Sequence, residues 1–245
     1  SSAPAQIGVA LVDLLDAPDG IRDRQLIYGD PVTVLGAQDG HSYVRPGRDG
    51  YIGFVPTAAL AQAAPHTHRV IARASHAYAR ADMKSPDRTM LSFGSRLTAL
   101  SETPKFIETA AGFVPKQHIA PADHWQDDPA AIAALFLGTP YLWGGNSGTG
   151  IDCSGLVQAA CLACNIPCDG DSDQQARSLG TALPEGTPPQ RNDLFFWKGH
   201  VALVYDGSTL IHANAHHMAT TFEPISEALT RIEKSDGPRT AHKRL

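Results

Sequence analysis

The chain has 245 residues, which exceeds the usual size of a single domain and predicts two or three compact units. With 42% hydrophobic residues, 22 Gly and 18 Pro, the composition is that of a globular protein rich in turns. The net charge of -5 offers no basic surface for a polyanion, so no nucleic-acid partner is expected. No apolar run approaches the roughly 20 residues that span a bilayer, so no membrane-spanning segment is expected either.

The first half of the chain contains a sequence repeat. The run Gly53-Phe54-Val55-Pro56 returns as Gly112-Phe113-Val114-Pro115, and residues 23–27 parallel residues 87–91. Within each copy, short β-rich runs alternate with Gly, Pro and Asp turns, which is typical of small all-β units. Each copy resembles a bacterial SH3-like domain. We therefore predict two SH3-like barrels, at residues 1–63 and 64–122.

The pattern changes from strands to helices after the polar, acidic residues 121–129. Asp128 and Pro129 favour a helix start, with proline at the first helical position. The elements predicted beyond this boundary are a helix ending near Gly138, a helix from Cys153 to about Ala163, and strands at residues 194–197, 200–205 and 210–213. Helices followed by an antiparallel sheet predict an α+β, papain-like domain over residues 123–245.

All four cysteines lie in one short segment, at positions 153, 161, 164 and 168. Because no cysteine lies elsewhere to pair across the fold, no disulfide framework is expected. Cys161 and Cys164 form a CxxC motif, but no second CxxC and no Cys-His pair lies nearby to complete a metal site. We predict buried structural thiols there, and we expect no metal and no other cofactor.

Cys153 follows a glycine-rich stretch, residues 144–150, and precedes an apolar helical run. A helix start offers backbone N–H groups and the positive end of the helix dipole, both of which favour a thiolate. The alternative is a buried cysteine that only fills space. By itself, the sequence around Cys153 does not decide between the two.

Two histidines favour the catalytic interpretation of Cys153. His200 and His212 have the same parity around a turn at Asp206-Gly207, so a hairpin loop centred on Asp206 would set them opposite each other on one sheet face. Either histidine alone is more simply a satisfied sheet residue. Together with Cys153, they supply a nucleophile, a base and a group that orients the base.

Five sequence blocks in this region resemble the NlpC-type bacterial cell-wall cysteine peptidases, in order and in spacing. The blocks are Tyr141-Leu142-Trp143-Gly144-Gly145, Asp152-Cys153-Ser154-Gly155, Asp193-Leu194-Phe195-Phe196, His200-Val201 and Ile211-His212-Ala213. With two SH3-like units, the architecture is similar to the γ-D-glutamyl-L-diamino-acid endopeptidases of the dipeptidyl-peptidase VI type. The resemblance implies a thioester acyl-enzyme and cleavage of murein peptides between γ-D-glutamate and a diamino acid such as meso-diaminopimelate.

The same resemblance implies residues that bind the substrate. In that subfamily the murein peptide has a free N-terminal L-alanine, and Asp152 and Ser154 match the positions that recognise it. A carboxylate pairs well with an ammonium, and a helix-capping role for Asp152 is compatible with this. Tyr141 matches an active-site tyrosine for the substrate or the oxyanion, with a core aromatic as the alternative. Tyr51 resembles a residue of the SH3-like unit that contributes to the alanine pocket.

Two stretches do not fit a simple interpretation. Where relatives often have Pro-Arg-Asp-Ser ahead of a Gln pair, residues 169–175 contain no arginine, which puts the details of this loop in doubt. His216 and His217, together with His212, resemble part of a metal cluster. No further ligand at suitable spacing supports one, so a pocket wall or an exposed tract is favoured.

Two other functions use the same sequence features. A wall-binding protein with an inactive catalytic domain is disfavoured by the intact set of Cys153, His200 and His212. An acyltransferase or amidase remains open, because the fold and the triad do not fix the acceptor. Recognition of a free alanine amine implies a peptide already released from glycan, which favours the bacterial cytoplasm. A removed export signal would instead favour the periplasm or the cell exterior.

Overall fold

A computed structural model describes residues 2–245 of the chain. The chain forms two compact units. The first comprises the residues up to Trp125 together with Asn146–Gly148, and the second comprises Gln126–Gly145 and Thr149–Leu245. The chain therefore passes from one unit to the other three times.

The first seven strands of the first unit form one antiparallel sheet. The strands are β1 (Ala3–Ile7), β2 (Leu11–Leu15), β3 (Arg22–Ile27), β4 (Pro31–Gln38), β5 (His41–Pro46), β6 (Gly53–Pro56) and β7 (Leu60–Gln62). They pair in the order β3-β2-β6-β5-β4-β1-β7. Because side chains alternate between the two faces of a strand, one apolar face is buried. Its core residues are Ile7, Leu14, Leu26, Val32, Val44 and Val55.

Eight further strands complete the β-rich part of the first unit. They are β8 (His68–Val70), β9 (Ala74–Tyr78), β10 (Asp87–Ser92), β11 (Arg96–Leu97), β12 (Ser101–Glu102), β13 (Phe106–Thr109), β14 (Gly112–Pro115) and β15 (Ile119–Pro121). They form a five-stranded sheet in the order β10-β9-β14-β13-β12 and a three-stranded sheet in the order β11-β8-β15. Their shared core includes Val70, Leu91, Leu97, Ile107 and Val114.

The two copies of the sequence repeat form the same local structure. Each Gly-Phe-Val-Pro run is a strand, β6 or β14, and each is followed by a short 3₁₀ turn and one more strand. The valine of each run, Val55 or Val114, is fully buried. Glycine is required in both copies because a Cβ would lie 2.7 Å from the Leu15 carbonyl oxygen at Gly53 and 2.5 Å from the Tyr78 carbonyl oxygen at Gly112.

An asparagine side chain covers the exposed edge of β3, which is an end strand of the seven-stranded sheet. Oδ1 of Asn146 accepts a hydrogen bond from the backbone N–H of Gln25 at 3.2 Å, and Oε1 of Gln25 accepts one from the backbone N–H of Asn146 at 3.3 Å. Both residues are buried. Asn146 thus satisfies a backbone donor that an end strand would otherwise leave unpaired.

The second unit combines four helices with an antiparallel sheet. Its elements in chain order are α1 (Pro129–Ala134), β17 (Gly150–Ile151), α2 (Cys153–Ala163), α3 (Ser172–Ser178), β18 (Thr181–Ala182), β19 (Asp193–Trp197), β20 (His200–Asp206), β21 (Thr209–Asn214), β22 (Ala219–Pro224), α4 (Ile225–Asp236) and β23 (Ala241–Arg244). The short strand β16 (Asn146–Ser147) belongs to the first unit. The sheet order is β18-β23-β19-β20-β21-β22. The predicted strands β19, β20 and β21 and the predicted helix α2 are confirmed.

The first predicted helix is confirmed at its start and wrong at its end. Asp128 caps α1 by accepting a hydrogen bond from the backbone N–H of Ala131, and Pro129 is the first helical residue. The helix ends at Ala134 instead of near Gly138. Beyond the helix, the N–H groups of Leu135, Phe136 and Leu137 each donate to the carbonyl three residues before it, as in a 3₁₀ helix. Side chains therefore keep a nearly helical spacing for a few residues after the α-helix ends.

Helices pack against the central strands of this sheet. Ala228 and Ile232 of α4 join Phe195, Ala202 and Leu210 in one buried cluster. Helix α2 contacts both β20 and β21, so the helix that begins with Cys153 touches the strands that carry His200 and His212. Within residues 2–245, none of the helices is long and apolar enough to cross a membrane.

Candidate active site

Cys153 is the first residue of α2, as predicted, and Asp152 is the N-cap. Oδ1 of Asp152 accepts a hydrogen bond from the backbone N–H of Gly155 at 2.7 Å. This cap satisfies one of the backbone donors that every helix start leaves unpaired. The cysteine itself is only 6% exposed. The thiol therefore lies at a fixed helix start and is shielded from water.

Burial outweighs the helix start in setting the charge of the thiol. Burial raises the pKa of Cys153 to about 12, and the Asp152 carboxylate adds to that shift. The backbone N–H groups of Val201, Ser154 and Cys153 donate to the sulfur and oppose it. Because Val201 follows His200, the sulfur lies near the start of the strand that carries the predicted base. The thiol is protonated at neutral pH and needs a base to become a nucleophile.

The two histidines contact each other. Nε2 of His200 lies 2.9 Å from Nδ1 of His212, and the ring centroids are 5.2 Å apart. The predicted neighbourhood is confirmed, but the predicted register is wrong. Leu203 pairs with Ile211, so His200 lies diagonal to His212 instead of opposite it. The reason is a β-bulge between positions 204 and 206, together with a turn centred on positions 207 and 208.

Both imidazoles are neutral at pH 7. Burial, followed by the charges of His212 and Arg231, lowers the pKa of His200 to about 3, and Glu223 opposes this shift. Burial also lowers the pKa of His212, against the effect of its hydrogen bond to Glu223. A neutral imidazole together with a protonated thiol is the starting state from which a base can accept the proton of the nucleophile.

The sequence did not reveal an ion pair behind His212. Nε2 of His212 lies 2.8 Å from Oε2 of Glu223, and Arg231 donates from Nε to Oε1 at 2.8 Å and from Nη2 to Oε2 at 2.7 Å. Although burial acts to raise it, the hydrogen bonds from Arg231 and His212 hold the pKa of Glu223 well below its usual range. A strand assigned to residues 219–224 would have placed Glu223 beside His212, but that Thr-rich run was not predicted as one.

Three residues that were predicted to bind the substrate lie close to the thiol. Oδ1 of Asp152 also accepts from Oγ of Ser154 at 3.2 Å, and Oδ2 accepts from the backbone N–H of Gly144 at 2.9 Å. Burial, with contributions from Cys153 and Asp152, raises the pKa of Tyr141, so its phenol keeps its proton. Tyr141, Asp152 and Ser154 therefore surround the start of α2, and their substrate roles stay predictions.

Tyr51 lies in the first unit, where its half-buried ring packs against the core of the seven-stranded sheet. The guanidinium carbon of Arg24 lies 5.6 Å from the centroid of that ring. The backbone N–H of Tyr51 donates to Oδ1 of Asp49 at 3.1 Å. These contacts fix the tyrosine within its own unit. Its predicted contribution to an alanine pocket stays a prediction.

The loop without arginine forms the start of α3. Asp171 caps this helix in a reciprocal capping box with Gln174. Gln175, fully buried, donates from Nε2 to the carbonyl oxygens of Ser154 and Asp169, at 2.9 Å each. Gln175 therefore ties this loop to the first turn of α2.

The remaining cysteines and histidines do not form a metal site. All four cysteines are free thiols, and burial of Cys161 is confirmed. Cys164 follows the last residue of α2 and is partly exposed, so its predicted burial is wrong. His216 and His217 lie in the exposed turn between β21 and β22. Among residues 2–245, no group of three or more His, Cys, Asp or Glu side chains is arranged to hold a metal ion.

Comparison with known proteins identifies two domains. Residues 138–231 match the NlpC/P60 family, and residues 14–60 match the bacterial dipeptidyl-peptidase Sh3 domain. The second SH3-like domain and the predicted domain limits stay predictions. The chain is 28% identical over 217 residues to a γ-D-glutamyl-L-lysine dipeptidyl-peptidase of Bacillus subtilis, covering 80% of this chain and 73% of the relative. It is 38% identical over 102 residues to dipeptidyl-peptidase 6 of Lysinibacillus sphaericus, covering 40% of this chain and 36% of that relative.

A solved structure shares the fold of the whole chain. The crystal structure of an NlpC/P60 family protein from Bacillus cereus superposes with a TM-score of 0.82 at 21% identity, covering 99% of each chain. At that identity the likeness shows the fold alone. The sequence matches add the family of the domain that contains Cys153, His200 and His212. The chain therefore carries an NlpC/P60 family cysteine peptidase domain of papain-like fold, preceded by a bacterial Sh3 domain.

Proposed function

We propose that this protein hydrolyses the amide bond between γ-D-glutamate and a diamino acid in murein peptides that have a free N-terminal L-alanine. The observation that carries the proposal is the contact between His200 and His212 on the two strands against which the Cys153 helix packs. The name of the Bacillus subtilis relative, a γ-D-glutamyl-L-lysine dipeptidyl-peptidase, supports the substrate class and gives lysine as the diamino acid.

In the proposed reaction, Cys153 is the nucleophile and His200 is the base. As the sulfur attacks the γ-carbonyl carbon of glutamate, its proton passes to His200. The imidazolium returns that proton to the nitrogen of the diamino acid, the C–N bond breaks, and a thioester remains. Water, deprotonated by His200, then hydrolyses the thioester. Because thiol and imidazole both start neutral, charge develops only during the attack, when an oriented His212 stabilises the imidazolium.

The proposed alanine subsite uses a carboxylate that hydrogen bonds hold in place. Asp152 accepts hydrogen bonds from Gly144, Ser154 and Gly155. A carboxylate attracts an ammonium, so the charge of Asp152 would favour the free amine of the N-terminal alanine. The three existing donors hold the carboxylate in place next to the thiol.

Product analysis tests the proposal. The enzyme is incubated with L-Ala-γ-D-Glu-meso-diaminopimelate and with its L-lysine counterpart, and the products are identified by mass spectrometry. We expect L-Ala-D-Glu and the free diamino acid from wild type, and intact peptide from Cys153→Ala. Cys164→Ala is the matched control, since it removes a partly exposed thiol at the far end of α2 and should remain active. Hydrolysis by Cys153→Ala would refute the proposal.

A further inference from the structure

A buried carboxylate stands behind the two histidines. From β20 to α4, the contacts run from His200 to His212, from His212 to Glu223, and from Glu223 to Arg231, each at 2.9 Å or less. Both His212 and Glu223 are almost fully buried, at 1% and 5% exposure. A buried carboxylate is costly unless it is paired and hydrogen-bonded. Losing any one of these hydrogen bonds would leave a buried polar group without a partner, so the side chains are held in this arrangement.

The direction of each hydrogen bond follows from the carboxylate. Ionised Glu223 can only accept, so Nε2 of His212 carries the proton and donates to it. A neutral imidazole has one N–H, which leaves Nδ1 of His212 as an acceptor. Nε2 of His200, 2.9 Å from that atom, must therefore carry its proton and donate. Only Nδ1 of His200 is left with a free lone pair.

Arg231 keeps this carboxylate ionised without letting it take the proton. Its guanidinium binds both oxygens of Glu223, which draws negative charge away from His212. The carboxylate therefore orients His212 and leaves the proton on the imidazole. Because Arg231 lies on α4 and Glu223 on β22, the ion pair also attaches the helix to the edge of the sheet.

We propose that Glu223, held by Arg231, is a positioning residue that sets the tautomers of His212 and His200 and so selects Nδ1 of His200 to receive the Cys153 proton. The inference rests on the proposed function, which makes His200 the base. It extends that function by one buried residue that touches neither the substrate nor the thiol.

The kinetic test replaces the carboxylate by an amide of the same shape. Because an amide can donate as well as accept, Glu223→Gln no longer forces one tautomer, and we expect kcat to fall about ten- to a hundredfold. KM should stay unchanged, since no substrate contact is lost. Glu223→Asp, which keeps the charge, should recover part of the rate. Glu233→Gln is the matched control, because it removes an exposed carboxylate from α4, the helix that carries Arg231, and should behave as wild type.

A spectroscopic test needs no turnover. In ¹⁵N-histidine-labelled Cys153→Ala protein, the ring nitrogens of His212, assigned with His212→Gln, should show one tautomer with the proton on Nε2. Glu223→Gln should give a mixture of both tautomers. A proton on Nδ1 of His212 in the protein that keeps Glu223 would overturn the inference, even if Glu223→Gln failed to fold.

The two tests separate this inference from the proposed function. If Cys153→Ala still hydrolyses the peptide, the proposed function fails whatever the tautomers are. If Cys153→Ala is inactive but Glu223→Gln retains full kcat, the function stands and the role of Glu223 is refuted.

Discussion

The thiol of Cys153 is subject to two opposing effects that both follow from its place in the chain. As the first residue of α2, it receives backbone N–H groups that favour a thiolate. As a buried side chain beside Asp152, it is kept protonated, and the second effect is larger. This differs from a helix-start cysteine open to water, and it gives the resting enzyme a neutral thiol and a neutral imidazole.

The neutral thiol predicts slow alkylation by iodoacetamide. With a pKa of about 12, Cys153 is almost entirely protonated at pH 7, so its alkylation rate should keep rising with pH beyond pH 10. Mass spectrometry of the peptide that contains Cys153 measures this rate, and Cys153→Ala corrects for the other cysteines. A rate that is already constant between pH 6 and 8 would show instead a stable thiolate–imidazolium pair.

Asp152→Asn separates the capping role of this residue from its proposed role in binding. Asparagine caps helices about as well as aspartate, so the hydrogen bond from Gly155 should persist. The neutral amide no longer favours an ammonium, so kcat/KM for the free-amine peptide should fall about ten- to a hundredfold.

The comparison peptide for Asp152→Asn carries an acetylated alanine. Wild type should discriminate strongly against it, whereas Asp152→Asn should discriminate little. If wild type cleaves both peptides equally fast, the proposed alanine subsite is refuted, and intact stems that are still linked to glycan become the better candidate substrate.

At the scale of elements, the features that were predicted correctly are those encoded by short, local sequence patterns. The cap at Asp152 and the apolar run after it predicted α2 correctly, and parity predicted the contact between His200 and His212 despite the displaced register. Strands β22 and β23, which are present in the structure but were not predicted, have no comparable sequence pattern. Strand β23 pairs with β19 across about fifty residues of chain, and no local periodicity encodes such a pairing. Glu223 was missed for a different reason: β22 pairs with the adjacent strand β21, but its Thr-rich run was not predicted as a strand.

The pairing of β19 with β23 encloses a buried carboxylate. Asp193, fully buried on β19, binds Arg244 at 2.8 Å through Oδ1 and His242 at 2.7 Å through Oδ2. Asp193→Ala leaves the buried His242 ring without its hydrogen-bond partner, whereas the partly exposed Arg244 can be solvated, so the free energy of unfolding should fall by about 1–3 kcal/mol. Urea titration measures the loss. Asp173→Ala, which breaks an exposed pair with Arg177, is the control and should cost under about 0.5 kcal/mol.

At the scale of the whole molecule, the buried histidines make stability depend on pH. The folded pKa of His200, about 3, lies below the value near 6.5 expected in the unfolded chain, and that of His212 is also lowered. Below about pH 6.5 the unfolded chain therefore binds more protons than the folded one, and stability falls with pH down to about pH 3. Stability is fully present above about pH 6.5.

Thermal unfolding between pH 7 and pH 4 measures this effect. Tm of wild type should fall steadily over that range, and His212→Gln should flatten the curve because it removes one of the two titrating groups. A wild-type Tm that stays constant from pH 7 to pH 5 would contradict the assignment of neutral, buried imidazoles.

The three crossings of the chain between the units have a consequence for how the protein can be divided. Asn146, which covers the edge of β3, is encoded inside the stretch that matches the NlpC/P60 family, so neither unit corresponds to one uninterrupted gene segment. A fragment cut after Trp125 would lack Asn146 and leave the Gln25 N–H on a bare strand edge, open to pairing with another copy. We expect such a fragment to self-associate in light-scattering measurements, and a fragment with residues 146–148 fused to its end to do so less. Recombination at residue 125 would therefore separate the peptidase sequence from the Sh3 sequence at the cost of an aggregation-prone edge.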